Sequence, residues 1–232
     1  MKKQDFIFII CMVVFVALFV LIEPIKQWFL SWSAANDARA FVLAFLKFAV
    51  LATIGECIGL RITQGIYNKK GFGVLPRALV WGVLGLCISI AMVIFASGSF
   101  SFLNQCGLHI APQTLGQESF STRLSYAFSV SVLMNTFFAP VFMTVHKITD
   151  THITNTGGTL KGFFTPIPAK KIISEMDWQR QWSFVFMKTI PFFWYPAHTL
   201  TFMLPGEYRV LCAALLGVAL GVILSFANLK KK

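Results

Sequence analysis

Long runs of apolar residues alternate with short polar stretches along the whole chain. Each run is close to the roughly twenty residues that a helix needs to cross the hydrocarbon core of a bilayer. The runs lie at residues 6–22, 40–60, 78–97, 124–146, 183–204 and 209–227. This pattern predicts an all-α, polytopic membrane protein, a helical bundle of about six transmembrane helices that forms a single membrane domain over residues 1–232.

The fifth run, 183–204, is interrupted by proline. Pro191 and Pro196 lie within it, and Pro205 follows its end. Because proline removes a backbone donor and kinks or breaks a helix, the run fits a kinked span, two re-entrant half-helices or an interfacial segment.

The distribution of positive charge favours a full crossing. With six spans and a cytosolic start, 14 Lys and Arg residues lie in cytosolic segments and four in outer ones. Without a fifth crossing, the lysines at 230–232 would lie outside, against this bias. We therefore expect both termini, from Lys2 to Lys232, on the cytosolic side with the loop 61–77.

Composition excludes a soluble globular domain, because 56% of the residues are hydrophobic and only 12% are charged. The formal charge of +11 comes without a nucleic-acid-binding motif, so no nucleic acid partner is expected. The five cysteines show no CxxC spacing and predict neither disulfides nor a zinc site. The basic start precedes an apolar run without a cleavage site, which indicates an uncleaved first span.

The longest polar region, 149–181, is predicted to be a cytosolic loop. A short amphipathic helix over 169–178 would place Lys170 and Lys171 against anionic lipid headgroups. Membrane lipids are therefore the first expected partners.

Enzyme signatures are missing from the sequence, which has neither a GxSxG elbow nor an HExxH pair. We expect no enzyme activity and no cofactor. His146, Asp150 and His152 are weak candidates for metal ligands at the end of the fourth run. Three ligands without a fourth favour the alternative of a polar helix end, so no metal is predicted.

Small residues recur every fourth position in the last run. This stripe lets another backbone approach closely, and we expect Gly217→Leu to overpack the contact. The partner is either another span of this chain or a second subunit of a homo-oligomer. The stripe consists of Ala213, Gly217, Gly221 and Ser225.

Four ionisable residues lie inside predicted spans, where an isolated charge is costly. Glu56 and Lys188 each lie roughly 7 to 9 Å inside the cytosolic end of their span, so they are predicted neighbours. The alternatives are a water-filled pathway and a structural ion pair. The four residues are Lys47, Glu56, Lys188 and His198.

From about Phe41 onward, short motifs match those of one family of membrane proteins in order and spacing. Gly55-Glu56 stands where the family has Gly-Asp, and Arg77 with Gly82 fits its Arg-x-x-x-x-Gly. Tyr195 separates the Trp and Pro of the Trp-Pro element. The other matching positions are Asn135, Pro140, Trp194, Pro196, Pro205, Tyr208 and Arg209. In these motifs the chain resembles the Mpv-seventeen-like family, the relatives of the twenty-two-kilodalton peroxisomal membrane protein.

The resemblance implies a channel-like or permeability-controlling membrane protein. Together with the buried charges, it predicts transport of a small solute or ion along a polar pathway between the second and fifth spans. The alternative is a non-transporting scaffold or regulator that binds partner helices through the small-residue stripe. The resemblance is to a divergent member, and the expected location is the bacterial cytoplasmic membrane.

Overall fold

The computed structural model describes residues 3–35 and 37–229, with side chains up to Phe226. This part of the chain is all-helical, as predicted, and contains no strand. Its contacts divide the chain into two compact units, Met1–Leu43 and Ala44–Lys232. A single membrane domain over 1–232 stays a prediction.

The first unit holds helices α1 (Lys3–Leu21) and α2 (Glu23–Ser33) and the start of α3. Helix α1 is apolar and has no buried residue, as expected of a helix surrounded by lipid. The segment that forms α2 lies between the first two predicted spans. It is helical because Pro24 suits the first helical turn and aromatic residues follow at helical spacing, with the Trp28 and Trp32 rings 5.1 Å apart.

Two long helices start the second unit. Helix α3 (Ala38–Gln64) enters it from the first unit, and α4 (Val74–Gln105) follows a short loop. Helix α4 begins after Gly73, whose φ of 74° favours glycine. Helix α4 is longer than the predicted run 78–97, because the helix continues to Gln105.

The fourth predicted run is two helices, α5 (Phe120–Phe137) and α6 (Ala139–Asn155). Their axes differ by 46°. Pro140 accounts for the break, because it lies in the first turn of α6 and has no N–H to continue the bonding of α5.

Short helices occupy the predicted loop 149–181. Helix α6 extends to Asn155, and α7 (Leu160–Phe163), α8 (Ala169–Ser174) and α9 (Trp178–Arg180) follow. The predicted amphipathic helix over 169–178 is therefore shorter, because its residues divide between α8 and α9.

The fifth predicted run is continuously helical and changes from a π-helix to an α-helix. A π-helical segment, Gln181–Trp194, leads directly into α10 (Tyr195–Met203). The Thr189 hydroxyl donates to the carbonyl of Phe184 five residues earlier, in keeping with the wider π turn. The final helix is α11 (Gly206–Leu229).

Among the described residues, four helices are long and apolar enough to cross a membrane: α1, α3, α4 and α11. The bent pair α5–α6 makes five if it counts as one span. The fold is thus compatible with a membrane protein, while six crossings and cytosolic termini stay predictions. Lys2 and Lys232 lie outside the described residues.

The main core of the second unit joins α3, α4, α5, α10 and α11. Glycine lets α4 approach α3 closely. A Cβ on Gly85 would lie 2.5 Å from the Cβ of Phe48, and one on Gly82 would overlap the ring of Phe45. These close approaches bring the polar faces of α3 and α4 together.

Candidate functional site

A cavity of about 550 Å³ lies inside the second unit. Its walls come from α3, α4, α5, α6, the π-helical segment, α10 and α11. The lining residues of α3 extend from Phe48 to Thr63, which is about 22 Å along a helix. Such a volume is within the roughly 300–1,000 Å³ of small-molecule sites.

One end of this cavity, the charged end, holds Glu56 of α3 and its three donors. The Glu56 carboxylate accepts from Arg77 Nη1 at 2.6 Å and from Trp81 Nε1 at 2.8 Å. His146 Nε2 of α6 lies 3.4 Å from the same carboxylate. Three helices therefore meet at one half-buried acidic group.

Arg77 connects this group to a second carboxylate. Its Nη1 also forms an ion pair with Asp150 Oδ1 of α6, and its Nε donates to the carbonyl of Phe72 at 2.7 Å. The guanidinium carbon lies 4.6 Å from the centre of the Phe72 ring. Arg77 is buried, at 9% exposure, so these contacts replace the water that it lost on folding.

The opposite, inner end of the cavity holds neutral hydrogen-bonding groups. Asn135 Nδ2 of α5 lies 2.9 Å from His198 Nδ1 of α10 and donates to the carbonyl of Ser131 at 2.8 Å. The ring of Trp194 packs against His198, with centroids 5.0 Å apart. Asn135 and His198 are both buried, at 2% and 6% exposure.

Lys188 was predicted to pair with Glu56, and this prediction is wrong. Its side chain is exposed and forms no ion pair with Glu56, whose cation is Arg77. Lining positions in the π-helical segment include Gln181, Val185 and Thr189, and Lys188 is not among them. A π turn needs more residues than an α turn, so the α-helical depth argument did not predict which face Lys188 occupies.

Lys47 was predicted to face the same pathway, but it does not line the cavity. It is buried, at 7% exposure. The cavity face of α3 contains Phe48, Ala52, Gly55 and Gly59, at helical spacing, and Lys47 lies beside that face.

Of the three weak metal candidates, His146 and Asp150 lie at the charged end, and His152 does not line the cavity. His146 contacts Glu56, and Asp150 contacts Arg77. His152 is fully buried on another face of α6, where its Nε2 lies 3.1 Å from the carbonyl of Phe163. The described residues contain no group of three potential metal ligands.

The small-residue stripe of α11 lies against α3 for part of its length. A Cβ on Gly55 would lie 3.0 Å from Val218 Cα, and one on Gly59 would lie 2.9 Å from Ser225 Oγ. Gly221 is near the Gly55 carbonyl, and Ala213 is in the core.

Gly217 departs from the predicted packing. A Cβ at this position would meet no atom within 4 Å, because Gly217 opens onto the cavity. The expectation that Gly217→Leu overpacks a helix contact is therefore wrong, since α3 contacts the neighbouring Val218 while the Cβ direction of Gly217 opens onto the cavity.

Some residues that carry the resemblance lie at helix ends and not in the cavity. Arg209 donates to the carbonyls of Leu204 and Phe202, which lie at the end of α10. Pro196 lies in the first turn of α10 and Pro205 just before α11, while Tyr208 is exposed.

The role of Arg77 was not predicted from the sequence, which placed this residue in the cytosolic loop 61–77. The signal was the short connection 65–73, which makes α3 and α4 neighbours and Arg77 a cation available to Glu56.

Comparison of the chain with family models, curated proteins and solved structures finds no match in any of the three.

Proposed function

We propose that this protein transports a small solute across a membrane through the cavity. The observation that carries the proposal is the presence of buried polar groups at both ends of a 550 Å³ cavity among apolar helices. Polar and charged groups inside a membrane domain are costly unless they are paired or face a water-filled space. The second and fifth predicted spans both line this space, which supports the pathway expected from the sequence.

We also propose that the chain is a divergent member of the Mpv-seventeen-like family. Four positions that carry the resemblance line the same cavity: Glu56, Arg77, Asn135 and Trp194. Their convergence supports a shared site. A structure of an established member in which the matching residues lie apart would count against membership.

The scaffold alternative requires a small-residue stripe that is free to bind partner helices. Gly221 and Ser225 instead lie near α3 of the same chain, and Ala213 is buried. Neither this stripe nor another described surface specifically favours a scaffold over transport.

A location in the bacterial cytoplasmic membrane, with the basic segment at anionic headgroups, is part of the proposal. Lys170 and Lys171 are exposed, and the exposed rings of Trp178 and Trp182 follow them, as at a membrane interface. Replacing both lysines with Gln should reduce the anionic lipid that copurifies with the protein. Unchanged lipid retention would contradict this contact.

Solute flux into liposomes that contain the purified protein tests transport. Gly217→Leu should reduce flux by filling the cavity, since nothing else occupies the space beside Gly217. Ala219→Leu is the matched control, because it adds bulk to an exposed position of the same helix.

Flux that exceeds the empty-vesicle rate and falls in Gly217→Leu, but not in Ala219→Leu, is the expected result. If no ion or small solute enters faster than into empty vesicles, transport is excluded and a scaffold becomes the better interpretation. Equal flux in both variants would contradict this route.

A further inference from the structure

We infer that the cavity selects uncharged, hydroxylated solutes of the small-polyol class and that His198 recognises them. This inference rests on the proposed transport function and narrows the solute or ion expected from the sequence to one chemical class. It follows from the different chemistry of the two cavity ends.

The charged side chains at the charged end contact one another. Glu56 accepts from Arg77 and Trp81, and Arg77 also pairs with Asp150. The remaining charged lining residue, Lys147, has an exposed side chain. Both carboxylates and the guanidinium at this end therefore already have partners within the protein.

The inner end offers no charge to an ion. Its polar lining residues are Asn135, Thr189, Trp194 and His198, and no Asp, Glu, Lys or Arg lines this end in the described part of the chain. An ion that left water for this space would lose hydration without gaining an opposite charge, which is strongly unfavourable. A neutral solute loses only hydrogen bonds, which these side chains can replace.

His198 supplies an oriented hydrogen-bonding group that the fold leaves unused. The Asn135 carboxamide holds Nδ1 at 2.9 Å, whereas Nε2 has no hydrogen-bond partner among the described residues. Asn135 Oδ1 lies 3.2 Å from the same ring nitrogen, so the shorter contact is the one in which Asn135 Nδ2 donates to Nδ1. This assignment puts the proton of the neutral ring on Nε2. That N–H donates to an oxygen, such as a hydroxyl oxygen of a solute.

The ring of Trp194 completes the recognition surface. It packs beside His198 with a centroid distance of 5.0 Å, and both side chains line the cavity. An aromatic wall next to one hydrogen-bonding group suits a molecule with C–H faces and hydroxyl groups. Small polyols have both features.

Osmotic swelling of liposomes containing the full-length protein tests this inference, with ribitol as the neutral probe and potassium chloride as the ionic probe. Ribitol should enter faster than into empty vesicles, and potassium chloride should not. His198→Phe keeps an aromatic ring but removes the N–H, so ribitol entry should fall roughly two- to tenfold, as for loss of one hydrogen bond.

His198→Gln is the second variant, because its amide retains a donor and should preserve most of the ribitol flux. Potassium chloride entry as fast as ribitol entry would overturn the selectivity while leaving transport intact. Unchanged ribitol flux in a folded His198→Phe protein would overturn the role of His198. If neither probe enters through the wild-type protein, while another solute does, the polyol class is wrong; if no solute enters, the proposed function itself fails.

Discussion

Arg77 is the residue on which the charged end of the cavity depends. It is the cation shared by Glu56 of α3 and Asp150 of α6, and the Phe72 carbonyl and ring hold its guanidinium. Removing one member of a buried ion pair leaves the other charges without compensation, which costs more than the pair contributes. Arg77 should therefore matter more for stability than any surface arginine.

Arg77→Gln should lower the free energy of unfolding by about 3 kcal/mol, the lower part of the range for a broken buried pair, because Glu56 and Asp150 are partly exposed. Denaturant unfolding in detergent, followed by helical circular dichroism, measures the change. Arg180→Gln is the control at an exposed position. Equal stability of the two variants would show that the ion network contributes nothing.

A triple variant separates charge from packing. Glu56→Gln, Arg77→Gln and Asp150→Asn together leave no uncompensated charge at this end. The triple variant should be more stable than Arg77→Gln alone, because the penalty comes from unpaired carboxylates. A triple variant that is less stable than Arg77→Gln alone would indicate that the hydrogen bonds at this end contribute more to stability than the charges do.

The contact between α3 and α11 combines close packing with an open cavity along the same pair of helices. Gly55 brings the backbones together, since a Cβ there would lie 3.0 Å from Val218 Cα. The Cβ direction of Gly217 instead opens onto the cavity. The same substitution should therefore have opposite consequences at the two glycines.

Gly55→Leu should destabilise the protein by roughly 1–3 kcal/mol, because backbone atoms of α11 cannot yield to the added side chain. Gly217→Leu should keep wild-type stability and lose flux instead. Thermal unfolding and liposome flux on both variants measure the two effects. Comparable losses of stability would contradict this distinction between packing and cavity.

The ends of α3, α4 and α6 near the charged end of the cavity meet at one face of the second unit. A Cβ on Gly73, which precedes α4, would lie 2.8 Å from Gly158 Cα, which follows α6. The loop 106–119 follows the other end of α4, about 48 Å along that helix. This arrangement predicts which loops share a side of the membrane.

Labelling of single cysteines with an impermeant maleimide, in a variant without the native cysteines, tests this topology. Lys69→Cys and Lys161→Cys should react from the same side, which the charge distribution predicts to be the cytosol. Gln113→Cys should react from the opposite side. All three positions are exposed. Labelling of all three from one side would contradict a transmembrane α4.

The apolar runs were sufficient to predict an all-helical protein with helices long and apolar enough to cross a membrane, because the hydrophobic length of a helix is a local property of the chain. The bend between α5 and α6 coincides with Pro140, whose missing N–H is visible in the sequence.

The tertiary structure alone decided which side chains meet. Glu56 pairs with Arg77 rather than Lys188, and Gly217 faces a cavity rather than a helix. These outcomes depend on the rotation of each helix about its axis and on its neighbours, which a π-helical turn or a single glycine contact changes. Hydrophobic length determines that a helix crosses; three-dimensional packing determines which face it turns toward the site.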